Sequence, residues 1–223
     1  MNSFILQTSL FIGIIPALIL LYIGLKGFEG KFKDKIIFLT FIVGIVIGTI
    51  SVAIEYFTQA IGLIYIILFP ILEQLFKTIV LNLGRFQEKQ ETTIYGFSLG
   101  LGFGSVFTPA AIIQYNEPNL AFLAAIIGSL GIILFHAATG ILIGYGIYVN
   151  KLTKYLTFAI LLQLVITGII LVTSLIQTSY LQIIIVIYGI ILFWYTTKKV
   201  MPRILEEGLR RKRTQKEIDI KSK

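Results

Sequence analysis

Seven stretches of about 17 to 30 mostly apolar residues make up nearly all of this chain, and nothing constrains its fold more. They run at about 4–25, 36–57, 61–82, 94–114, 119–149, 155–177 and 179–197. Crossing a ~30 Å hydrocarbon layer takes about 20 residues of helix, so each stretch is long enough for a span. Of the 223 residues, 57% are hydrophobic and 13% charged, too few polar groups to cover seven such segments in water. Transmembrane barrels use ~10-residue segments of alternating polarity, and no such alternation occurs here. The predicted fold is therefore all-α, a polytopic bundle of seven transmembrane helices, multi-pass in the cell membrane with the lipid bilayer as its solvent.

The charges fall in step with that division. Lys26, Lys31, Lys33 and Lys35 follow the first stretch, Arg85 and Lys89 the third, Lys151 and Lys154 the fifth, and ten more basic residues the seventh. The connections around "TQAI" (58–61), "YNEPN" (115–119) and "QTSY" (177–180) carry none, and the single basic residue left over is Lys77. Cytoplasmic loops collect Lys and Arg, so the expected topology has the N-terminus outside and the C-terminus in the cytoplasm. Residues 1–197 form the expected seven-span domain and 198–223 a basic cytoplasmic tail. The N-terminal run lacks a basic n-region and is too long for a signal-peptide core, so it is expected to be the first span.

The net charge of +8 comes mostly from the tail, which includes "RRKR" at 210–213. A juxtamembrane cluster of this kind is expected to hold anionic lipid of the inner leaflet, and no nucleic acid partner is expected. With no cysteine there is no disulfide, thiolate metal site or cysteine nucleophile. Small residues concentrate in the fourth and fifth stretches, where Gly96, Gly100 and Gly104, then Gly140 and Gly144, recur at four-residue intervals. Glycines so spaced line one helix face and let backbones approach, which predicts that these two spans are central. Pro70 and Pro109 lie inside the third and fourth stretches and free the carbonyls of Ile66 and Ser105.

Ionisable groups inside spans face the bundle interior or a water-filled cavity, and here they are Glu55, Glu73, Lys77 and His136. At ~1.5 Å per residue, Glu73 is about 18 Å from the Arg85 end and His136 roughly 22 Å from the Lys151 end. The two can share a level near the bundle's middle. Glu55 is expected near the outer surface. Lys77 follows Glu73 by one helical turn, in the favourable order for a pair, and can also snorkel toward the cytoplasm.

In that order, "PILEQLFKTIVL" (70–81), "TIYGFSLGLGFGSVF" (93–107) and "FHAATGILIGYG" (135–146) resemble three motif regions of the PrsW family of intramembrane peptidases. That family is grouped with the CAAX prenyl proteases and the anterior-pharynx-defective scaffold subunit of gamma-secretase. The resemblance covers about a third of the chain. The family pattern is Glu-Glu-x-x-Lys, then Phe-x-x-x-Glu after a glycine-rich run, then a histidine. Here the first motif keeps Glu73 and Lys77 with Gln74 at the second glutamate, the second ends in Phe107 where the family has an acid, and His136 meets the third.

The resemblance implies a metal-independent hydrolysis, with no cofactor, of a transmembrane or lipid-anchored polypeptide. Glu73 would be the general base, Lys77 would help keep it ionised, His136 would serve the oxyanion or the leaving amine, and Gln74 would orient water or substrate. With two of three glutamates replaced, a degenerate scaffold that binds a transmembrane partner is the alternative. A proton-coupled transporter or channel using Glu73, Lys77 and His136 is a further one. Gly96-Phe97-Ser98-Leu99-Gly100 matches a hydrolase elbow only in letters, since that elbow needs a strand before it. The glycines at 100–104 likewise follow no strand and make no nucleotide loop. One histidine and no cysteine leave catalytic zinc short of ligands.

Overall fold

A computed structural model describes residues 3–58, 63–87, 89–113, 119–176 and 181–210. Each apolar stretch is helical over most of its described residues: α1 Ser3–Leu25, α2 Asp34–Thr58, α3 Leu63–Leu81, α4 Glu91–Ser105, α5 Phe107–Ile112, α6 Leu120–Tyr148, α7 Leu152–Ile176 and α8 Gln182–Tyr195. No strand occurs among the described residues, so the chain is all-α as expected. Four helices, at Asp34–Thr58, Leu120–Tyr148, Leu152–Thr173 and Gln182–Arg210, are long and apolar enough to cross a membrane. Most of each uncharged connection (59–61, 115–118 and 177–180) lies outside the described residues, as does the tail beyond Arg210.

The centre is α4, in which every residue from Thr92 to Ser105 is buried. Its glycines explain how it is enclosed on two sides. On one face, an added Cβ at Gly96 would strike the Gly140 carbonyl of α6, and one at Gly100 the His136 carbonyl. On the other, Gly102 lies against the Phe41 carbonyl of α2, while Gly44 and Gly48 of α2 lie against Leu99 and Phe103. Backbones pack this closely only where there is no side chain between them. The expected central pair, α4 and α6, is therefore found, and α8 reaches the far side of α6 by the same device at Gly131 and Gly189.

The two prolines behave differently. α3 runs unbroken through Pro70, but the fourth stretch divides at Val106 into α4 and α5, three residues before Pro109. Three glycines in the five residues before Ser105 weaken the helix that Pro109 then interrupts, whereas large apolar side chains flank Pro70.

The basic connections gather at one end. The Lys33 amide donates to the Tyr95 hydroxyl at 3.3 Å, and Tyr95 packs on Phe86. Tyr145 near the end of α6 meets Tyr155 of α7 edge to face, and Gly208 lies beside Gln90. The chain reaches that last position because α8 continues through a π turn, Thr196–Val200, into a helical segment at 203–210. Val200, Met201 and Ile204 are buried there, so the first part of the expected tail belongs to the bundle. An apolar face on residues 200–204 is the reason, and the basic residues around it stay outside.

The exterior is strongly apolar. Phe57, Ile79, Leu175 and Trp194 are all more than half exposed, while Lys77 is wholly buried. This inverts the usual distribution in water.

Candidate functional site

The structure brings Glu73, Gln74 and Lys77 of α3 together with His136 of α6 in one buried cluster, none of the four more than 3% exposed. Residues 73, 74 and 77 share one side of α3 because they are one, three and four positions apart along a 3.6-residue repeat. His136 reaches them because Gly100 and Gly104 of α4 let α6 settle against that helix.

Lys77 neither snorkels nor turns back along its own helix. Its Nζ crosses to α6, donating to Thr139 Oγ1 at 2.6 Å and lying 3.2 Å from His136 Nδ1. The physical cause is supply of acceptors: the hydroxyl and the imidazole are both within reach on α6, and an ammonium buried without them would be very costly. An ammonium group has only donors, which assigns Nδ1 as acceptor and leaves the proton of a neutral ring on Nε2. That nitrogen faces Glu73 Oε2 at 3.9 Å. The separation is too long for a direct hydrogen bond. The imidazole thus lies between Lys77 and Glu73, hydrogen-bonded to the first and facing the second.

Two residues that the sequence reading passed over hold the carboxylate. Ser51 Oγ of α2 donates to Glu73 Oε1 at 3.3 Å, and the Gln163 amide of α7 donates to Oε2. Gln163 in turn accepts from the Gln74 amide, so Gln74 is committed to Gln163 through its nitrogen. The ruler that placed Glu73 would also have found Gln163, which lies twelve residues from Lys151 just as Glu73 lies twelve from Arg85. As an uncharged amide, Gln163 does not stand out from the other polar residues of the spans. Glu55 is four residues beyond Ser51 on the same face of α2, close to the end of that helix.

The imidazole sits in an aromatic enclosure. Phe107 stacks on it at 5.0 Å between centroids and 24° between planes, Phe103 lies at 4.7 Å, and Phe135 meets it edge-on at 5.3 Å. The Lys77 ammonium also lies 5.2 Å from the Phe103 ring centre, a cation–π contact. Phe107, the first residue of α5, owes its position to the break at Val106.

Ser98 takes no part. Its Oγ donates to the Ile37 carbonyl of α2 at 2.7 Å, on the side of α4 away from His136. No group of three or more His, Cys, Asp or Glu side chains suited to a metal ion occurs among the described residues. Comparison of the chain with family models, with curated proteins and with solved structures finds no match.

Proposed function

We propose that this chain is a PrsW-like intramembrane peptidase of the cell membrane, hydrolysing a transmembrane or lipid-anchored polypeptide with a water activated by Glu73. The observation that carries the reading is the facing of Glu73 Oε2 and His136 Nε2 across 3.9 Å, with Lys77 behind the imidazole. Glu73 takes a proton from water while the oxygen attacks the peptide carbonyl. The His136 Nε2–H donates to the oxyanion, Lys77 fixes the tautomer that makes this possible, and Glu73 returns its proton to the leaving amine. These steps use no metal and no cofactor. Because the cluster is sealed within the bundle, the substrate enters sideways from lipid between helices. The basic end faces the cytoplasm, where the tail meets anionic lipid.

A second reading has its own observation in favour. Phe107 stands where the resembled family has an acid, and its ring covers His136. A bundle so closed suits a scaffold that binds a transmembrane partner without cutting it. The experiment that separates the two compares membrane-protein N-termini in cells carrying wild type or Glu73→Gln at equal expression. Termini present only with the wild type support the peptidase and name its substrate. Identical termini, with both proteins folded, overturn it in favour of the scaffold.

A further inference from the structure

We propose that Gln163 is a positioning residue of this site, and that Gln74 acts on Glu73 through it. Gln163 is only 6% exposed, on the same inward side of α7 as Ala159 and Ile166, while Leu161 and Val165 turn outward. A buried amide there needs partners for both its ends, and it finds them on α3. Its nitrogen donates to Glu73 Oε2, the oxygen that faces His136, and its carbonyl accepts from Gln74. The second bond sets the first. With the carbonyl turned to the Gln74 amide, the amino group of Gln163 is turned to Glu73, and a flip would set Gln163 oxygen against carboxylate oxygen. Ser51 holds the other carboxylate oxygen from α2. The carboxylate is thereby clamped between α2 and α7, and its approach to the imidazole depends on a helix outside the three motif regions.

The same chemistry explains an amide at position 74. An ionised acid there would present acceptors to the Gln163 carbonyl and would favour the flipped amide. Gln74 and Gln163 therefore form one relay that ends on Glu73.

The inference deepens the peptidase reading and rests on it for the word "site", but its test reads the carboxyl group itself and uses no substrate. The full chain in lipid nanodiscs is studied by infrared difference spectroscopy, with the Glu73 band identified by its loss in Glu73→Gln. Gln163→Met, nearly equal in volume, is expected to move that band, Gln74→Leu to move it less, and the double variant to match Gln163→Met alone. Gln163→Leu is the second choice where Gln163→Met unfolds earlier than wild type. An unmoved Glu73 band in a folded Gln163 variant overturns the proposal. So does a Gln74→Leu shift that persists in the Gln163→Met background, since Gln74 would then act on Glu73 directly. Failure to find a cleaved substrate would sink the peptidase reading and leave the band shifts as they are.

Discussion

At the scale of single residues, burying the Lys77 ammonium is costly, and its surroundings show how the cost is met. Thr139, His136 and the Phe103 ring share one ammonium group, with Glu73 on the far side of the imidazole. Lys77→Met removes the cation and leaves the carboxylate buried without its compensating charge, so stability is expected to fall by about 3–5 kcal/mol. Adding Glu73→Gln should restore part of that loss, because the pair is then replaced by neutral groups. Unfolding of the single and double variants in detergent checks both signs; an equal or larger loss in the double variant would show that the two charges are not coupled. The residues of this cluster were only partly legible in the sequence. Glu73, Lys77 and His136 announce themselves as charges among apolar neighbours, and their depths agree. Ser51 and Gln163 carry no charge, and one serine or glutamine in a span looks like many others until its partner is known.

At the scale of elements, glycine placement decides which helices touch. Gly140 and Gly96 face each other so closely that either one's Cβ would enter the other's carbonyl, while Gly168 in α7 has nothing within 4 Å of the same position. Gly140→Ala is therefore expected to destabilise by about 1–3 kcal/mol through overpacking. Gly168→Ala should be neutral or stabilising by up to about 1 kcal/mol, since only helix propensity changes there. Thermal unfolding of the two variants side by side tests the contrast, and equal effects would mean that α4 and α6 do not pack through these glycines. The four-residue spacing made this pairing readable in advance. The break at Val106 was half readable: Pro109 marked a weak point, as did Pro70, but only the glycine-rich helix gave way. Local composition and the neighbouring α1, whose Gly13 lies against the Ser105 carbonyl, settle that difference, and the second of these depends on tertiary structure.

At the scale of the whole molecule, the charge pattern and the packing converge on one polarity. Counting alone predicts a common side for the connections rich in lysine and arginine, and the contacts of Lys33 with Tyr95 and of Gly208 with Gln90 join three of those segments at one end of the bundle. Counting could not show that residues 200–204 pack into that end, because a short apolar face among basic residues is weak as a sequence signal. The absence of cysteine makes the polarity directly measurable, since any thiol introduced is the only one present. Leu83 is 51% exposed at the basic end, and Phe57 is 82% exposed near the opposite end of α2. In intact cells a membrane-impermeant maleimide is expected to label Phe57→Cys and to spare Leu83→Cys, which should react only after the membrane is opened. The reverse pattern would place the basic end outside, against the distribution of charge that cytoplasmic loops follow. It would also turn the tail away from the anionic leaflet. Labelling of both positions from outside would mean that the bundle does not span the bilayer, and Glu73 would then lose the water-poor surroundings on which its proposed chemistry depends.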